Sequence, residues 1–109
     1  MTKQLTQAIV EGIEDKKGKN IVVLDLSEIE GAICDAFIIA SAHSTVQVAA
    51  IADGVEDKVW ETLNEKVIRI DGLRNAQWVA MDYGNVMVHI FLDEVRDFYK
   101  LEELWGDAK

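Results

Sequence analysis

The sequence predicts an α/β fold, with one mixed sheet of about five strands flanked by helices. Three observations predict it. Apolar residues recur at helical spacing in two well-separated stretches. Five short runs are β-branched or alternating. Their order is helix, strand, strand, helix, three strands and a last helix.

The first helix is read over 3–16, where Leu5, Ala8, Ile9 and Ile13 share a face. Lys16-Lys17-Gly18-Lys19 ends it, because cations suit the negative helix end and glycine permits the reversal. Ile21-Val22-Val23-Leu24 is a first strand and Ala36-Phe37-Ile38-Ile39-Ala40 a second. Neither alternates cleanly, so both sheet faces are expected to be covered. Ser27 to Cys34 connects them.

Ser44 or Thr45 caps a long second helix that ends near Asn64 to Lys66. Its buried stripe is Val48, Ala52, Val55, Val59 and Leu63, with Asp53, Glu56, Asp57, Lys58 and Glu61 on much of the remainder. Val67-Ile68-Arg69-Ile70 is a third strand, Ala76 to Asp82 a fourth and Val86 to Leu92 a fifth. Tyr83-Gly84-Asn85 between the last two is a hairpin signal. Glu94 to Trp105 carries Val95, Phe98, Tyr99, Leu101, Leu104 and Trp105, and is read as a short final helix with an anchored tail.

At 109 residues the chain fits one domain, 1–109, with a modest core. The net charge of -9 argues against nucleic acid phosphates as the main contact, which call for clustered Lys and Arg. It suits solubility, or a basic protein partner. Cys34 is the only cysteine, so no intrachain disulfide is expected and a buried, inert thiol is. No signal peptide and no bilayer-spanning run are read, and the expected location is cytoplasmic.

Catalysis finds little support. His89 and Asp82 flank the hairpin and suggest an acid/base pair, yet no nucleophile motif accompanies them. No Cys-x-x-Cys or His-x-x-x-His spacing occurs, so no metal and no cofactor is expected. Ala40 to Thr45 leads into a helix start, where free amides suit an anion, but it lacks a glycine-rich loop. A nucleotide- or anion-binding enzyme using Ser44, Thr45, Asp82 and His89 is the alternative reading. Alternation along the fourth strand puts Trp78, Ala80 and Asp82 on one face and Val79 and Met81 on the other. A large aromatic, a small residue and a carboxylate on one face suit either a core or a binding surface.

The stretch Trp78-Val79-Ala80-Met81-Asp82-Tyr83-Gly84-Asn85-Val86-Met87-Val88-His89-Ile90-Phe91 is similar to the signature of the ribosomal silencing factor, or Iojap-like, family. Glu94, Arg96, Phe98-Tyr99, Leu101-Glu102 and Leu104 to Ala108 resemble that family's C-terminal pattern. Asp35 to Ala40, and Gln47-Val48 to Ile51-Ala52-Asp53, resemble its central segment. Where the pattern often has an arginine before the Gln-Val pair, this chain has Val46. The resemblance implies a reduced nucleotidyltransferase-type domain, often a homodimer, without that fold's metal-holding Gly-Ser and acidic pair. It implies binding to the large ribosomal subunit through the universal ribosomal protein number fourteen. The small subunit is then kept from docking, and translation is repressed when nutrients are scarce. Carried over residue by residue, it implies a partner-binding surface of Trp78, Asp82, Tyr83 and His89, with no catalytic residue.

Overall fold

A computed structural model of the chain describes residues 2–31 and 34–99. Its elements are α1 (Thr2–Asp15), β1 (Lys19–Asp25), β2 (Ala36–Ala42), α2 (Thr45–Leu63), β3 (Arg69–Asp71), β4 (Trp78–Asp82), β5 (Val86–Leu92) and α3 (Asp93–Tyr99). The expected order is the observed one. The tail residues Leu101, Leu104 and Trp105 lie outside the described residues.

The five strands form one mixed sheet in the order β1-β2-β5-β4-β3. β2 and β5 run parallel at its centre, with Ala36 beside Val86 and Ala42 beside Leu92. The other pairings are antiparallel. Period-two alternation then sorts the side chains. Ile38, Ala40, Val79, Met81, Val88 and Ile90 face α1 and α2 and are fully buried there. Phe37, Ile39, Ser41, Met87, His89, Phe91, Trp78, Ala80 and Asp82 face the other way, which we call the outer face.

Only part of the expected covering of both faces is found. β2 is buried along its whole length. β1 is the sheet edge, and its residues are half-buried or exposed, including Val23 at 42%. A β-branched run cannot say whether its strand has one neighbour or two.

α1 ends differently from expectation. Lys17, not Gly18, takes the left-handed conformation, at φ 64. The amides of Lys17 and Gly18 donate to the carbonyls of Glu14 and Ile13, both at 2.9 Å, the bond pattern of a Schellman cap. Gly18 is needed for room instead, since a Cβ there would lie 2.3 Å from Ile13 Cγ2. α2 starts as expected: Ser44 Oγ accepts from the Gln47 amide at 3.2 Å. It stops at Asn64, left-handed at φ 58, whose amide donates to the Trp60 carbonyl at 2.9 Å.

Two elements cover the ends of the outer face. Leu26, Ile29 and Cys34 pack over Phe37, Leu24 and Met87 at one end. At the other end Arg96 of α3 is 8% exposed and donates to the Asn20 carbonyl at 2.6 Å and to Ser41 Oγ at 3.2 Å. This guanidinium pins α3 to β2 and to the start of β1. Arg96→Met, of similar length but unable to donate, should lower stability by about 2 kcal/mol, because buried acceptors lose a charged donor. Chemical unfolding checks this, and an unchanged midpoint would show that α3 docks through its apolar side chains alone.

A candidate docking strip on the outer sheet face

β4 sits next to the edge strand β3, so its outward side chains are less covered than those of β2 and β5. Trp78, Ala80 and Asp82 are half-buried, and so is Met87 beside Asp82 on β5. They form a strip between the two covered ends. Alternation predicts this grouping, and the register confirms it.

Trp78 is held from beneath. Its ring stacks on Phe91 with centroids 5.0 Å apart and planes at 29°. Its Nε1–H donates to His89 Nδ1 at 3.1 Å. Phe37 meets the same imidazole edge-on, with centroids 4.9 Å apart. An indole with its face stacked and its N–H bonded has little rotamer freedom left to lose, which is what a rigid anchor requires.

That hydrogen bond also assigns the histidine. Nδ1 accepts, so the neutral ring carries its proton on Nε2, which is buried with no hydrogen-bond partner. Burial lowers the His89 pKa to about 4. His89 is therefore neutral near pH 7 and sits behind the strip rather than on its surface, at 6% exposure.

Asp82 closes the hairpin turn. One of its carboxylate oxygens accepts from the Gly84 amide at 2.7 Å, and Gly84 itself has φ +88. Tyr83 lies elsewhere. It packs in the core on the helix side of the sheet, 7% exposed, and its buried hydroxyl has no hydrogen-bond partner. The structure thus brings Trp78 and His89 into contact, sets Asp82 on the same face, and places Tyr83 behind the sheet. Sequence reasoning missed Phe37 and Phe91, which brace Trp78 and His89. Their signal is the same alternation, read on β2 and β5.

An acid/base pair does not form here. His89 engages Trp78 while Asp82 engages the turn. Ser44 Oγ is spent on its helix cap. Among the described residues no group of three or more His, Cys, Asp or Glu side chains is placed to hold a metal ion. Cys34 is buried, donates to the Ala36 carbonyl at 3.4 Å, and has its pKa raised by that burial. Among the described residues no helix is long and apolar enough to cross a membrane.

Comparison with known proteins places this geometry in a family. The family model described as "Ribosomal silencing factor during starvation" matches residues 1–109. A ribosomal silencing factor of Halalkalibacterium halodurans is 39% identical over 106 residues, covering 97% of this chain and 89% of that protein. The chloroplastic protein Iojap of Zea mays is 43% identical over 72 residues, covering 66% of this chain and 31% of that longer protein. Among solved structures, a crystal structure of a Chromobacterium violaceum protein superposes with a TM-score of 0.89 at 36% identity, covering 95% of this chain and 85% of that one.

Proposed function

The chain belongs to the ribosomal silencing factor family, and from that premise we propose that it binds the large ribosomal subunit and sterically blocks the small one. The contact on the subunit is the universal ribosomal protein number fourteen, and the outcome is repressed translation under starvation. The factor works in the cytoplasm, uses no cofactor and catalyses nothing. Its fold is taken as a reduced nucleotidyltransferase-type domain that has kept the sheet and left the chemistry. A homodimer belongs to the same reading, and sedimentation at working concentrations tests it.

The observation that carries this reading is the half-exposed, braced Trp78 with a carboxylate four residues along the same strand face. Such an aromatic supplies apolar contact area without freezing cost, and Asp82 supplies a partner for a lysine or arginine. The net charge of -9 favours encounter with a basic ribosomal protein.

Subunit joining tests it. Purified large and small subunits are mixed in magnesium, with and without the protein, and resolved on a sucrose gradient. The expected result is fewer whole ribosomes and co-sedimentation of the protein with the large subunit. Joining that proceeds unchanged, with the protein left at the top, rejects the reading.

Trp78→Ala then locates the surface. Truncating a central aromatic anchor costs ~2 kcal/mol or more, so binding to the large subunit should weaken at least roughly thirtyfold. Asp82→Asn, which can still accept from the Gly84 amide, should weaken it less. A folded Trp78→Ala protein that binds as before places the interface elsewhere.

A further inference from the structure

On the helix side of the molecule, α2 ends in a groove of about 570 Å³ lined by Glu56, Asp57, Trp60, Glu65, Lys66 and Val67. Trp60 follows Val59 and so falls off the buried stripe of α2, leaving it 46% exposed. An exposed indole beside Val67, rimmed by carboxylates, is an unusual use of surface in so small a domain.

Two further observations bear on what the groove takes. The Lys66 ammonium lies over the Trp60 ring, 5.5 Å from its centroid, so the chain itself fills a cation seat there. The Tyr83 hydroxyl is buried with no hydrogen-bond partner. Burial raises its pKa, and the charges of Glu56 and Glu65, both part of the groove wall, add to that rise. Burial, and then the neighbouring Asp53 and Asp57, raise that of Glu56 in turn.

We propose that this groove is a second docking surface, which accepts an arginine-bearing segment of a basic protein partner, the guanidinium displacing Lys66 from Trp60. Arginine fits better than lysine, because its planar group stacks on an indole while donating to carboxylates at its edge. Nucleic acid does not fit, since Glu56, Asp57 and Glu65 would face its phosphates. Trp60 belongs to a helix packed on the inner sheet face, whereas Trp78 points from the outer face. The inference does not depend on the ribosomal reading, and the two surfaces can be occupied at once.

The test is a titration of the full chain, labelled with nitrogen-15, by octa-arginine peptide at low salt, followed by the Trp60 indole N–H and the amides of 56–68. The expected result is saturable shifts confined to that region. Trp60→Leu should weaken binding about threefold or more, the value of an exposed cation–π contact. Lys66→Gln should strengthen it about two- to threefold by vacating the seat, while Lys3→Gln, the same charge change on α1, should leave it unaltered. Shifts spread evenly over the acidic surface, or a Lys66→Gln protein that binds no better than Lys3→Gln, overturn the proposal. So does a Trp60 signal that moves with protein concentration alone, which would make a second copy of the chain the occupant. Subunit joining by Trp60→Leu is read separately, so failure here leaves the Trp78 surface standing.

Discussion

Gly12→Val should unfold the protein about 12 °C earlier or more, the largest effect expected of any single substitution considered. Gly12 lies in α1 where it crosses α2. A Cβ there would sit 2.8 Å from Val55 Cα and 2.9 Å from the Gly54 carbonyl oxygen. Both obstacles are backbone, so no side-chain rotation relieves them. The helices must separate, and the apolar residues on both sides of the crossing lose their close packing. Leaving glycine out of a helix interior gains up to about 1 kcal/mol of propensity. Overpacking at a backbone contact is expected to cost about 3 kcal/mol net or more, so the clash decides the sign. In a domain of this size each kcal/mol moves the midpoint by about 4–8 °C. Glu14→Val, on the exposed side of the same helix, should move it little. A thermal melt that finds the two variants alike would mean that the crossing is looser than it looks.

Acidification below about pH 6.5 should destabilise the fold. His89 has a folded pKa near 4 against an ordinary value of 6.5. Above pH 6.5 both folded and unfolded chains hold it neutral, and it contributes no pH dependence. As pH falls from 6.5 towards 4 the unfolded chain takes up the proton and the folded one does not. Stability is therefore lost across that window, by about 3 kcal/mol in all and about 2 kcal/mol by pH 5. A protonated ring would also turn Nδ1 into a donor facing the Trp78 N–H, so the anchor and the histidine charge are mutually exclusive. Glu56 acts in the opposite sense, because its raised pKa lets the folded chain hold a proton that the unfolded one has released. The difference between the native chain and His89→Gln isolates the histidine, since the glutamine amide can still accept from Trp78. Denaturant midpoints at pH 7 and pH 5 should converge for the variant and separate for the native chain. Equal slopes would mean that water reaches the imidazole.

Much of the fold is legible because the chain obeys local rules. Ser44 caps α2, Tyr83-Gly84-Asn85 turns a hairpin, and alternation puts Trp78 and Asp82 on one face. The same alternation, carried one step past Met81, puts Tyr83 on the helix side. Only the family signature groups it with the outer strip; the strand does not aim it there. What stayed illegible depends on neighbours far away in sequence. Strand order makes β1 an edge and leaves β4 half-covered, and no property of either run announces that. The bracing of Trp78 by His89 and Phe91 needs the register of β4 on β5, which a hairpin signal suggests but does not fix. Trp60 was readable from its offset against the α2 stripe, though its carboxylate surroundings needed the turn after Asn64 to bring Glu65 and Lys66 back.

The parallel pairing at the centre of the sheet has a consequence for the life of the nascent chain. β2 is the most deeply buried strand, yet one of its neighbours is β5, made only after α2, β3 and β4. While the chain is being synthesised, Ala36 to Ala42 waits with one edge unsatisfied, and the helices pack against an incomplete platform. Closure of the domain is set by the arrival of Val86 to Leu92, which makes folding a late and long-range event. Chains cut short before that strand present an apolar, open-edged sheet to whatever surrounds them.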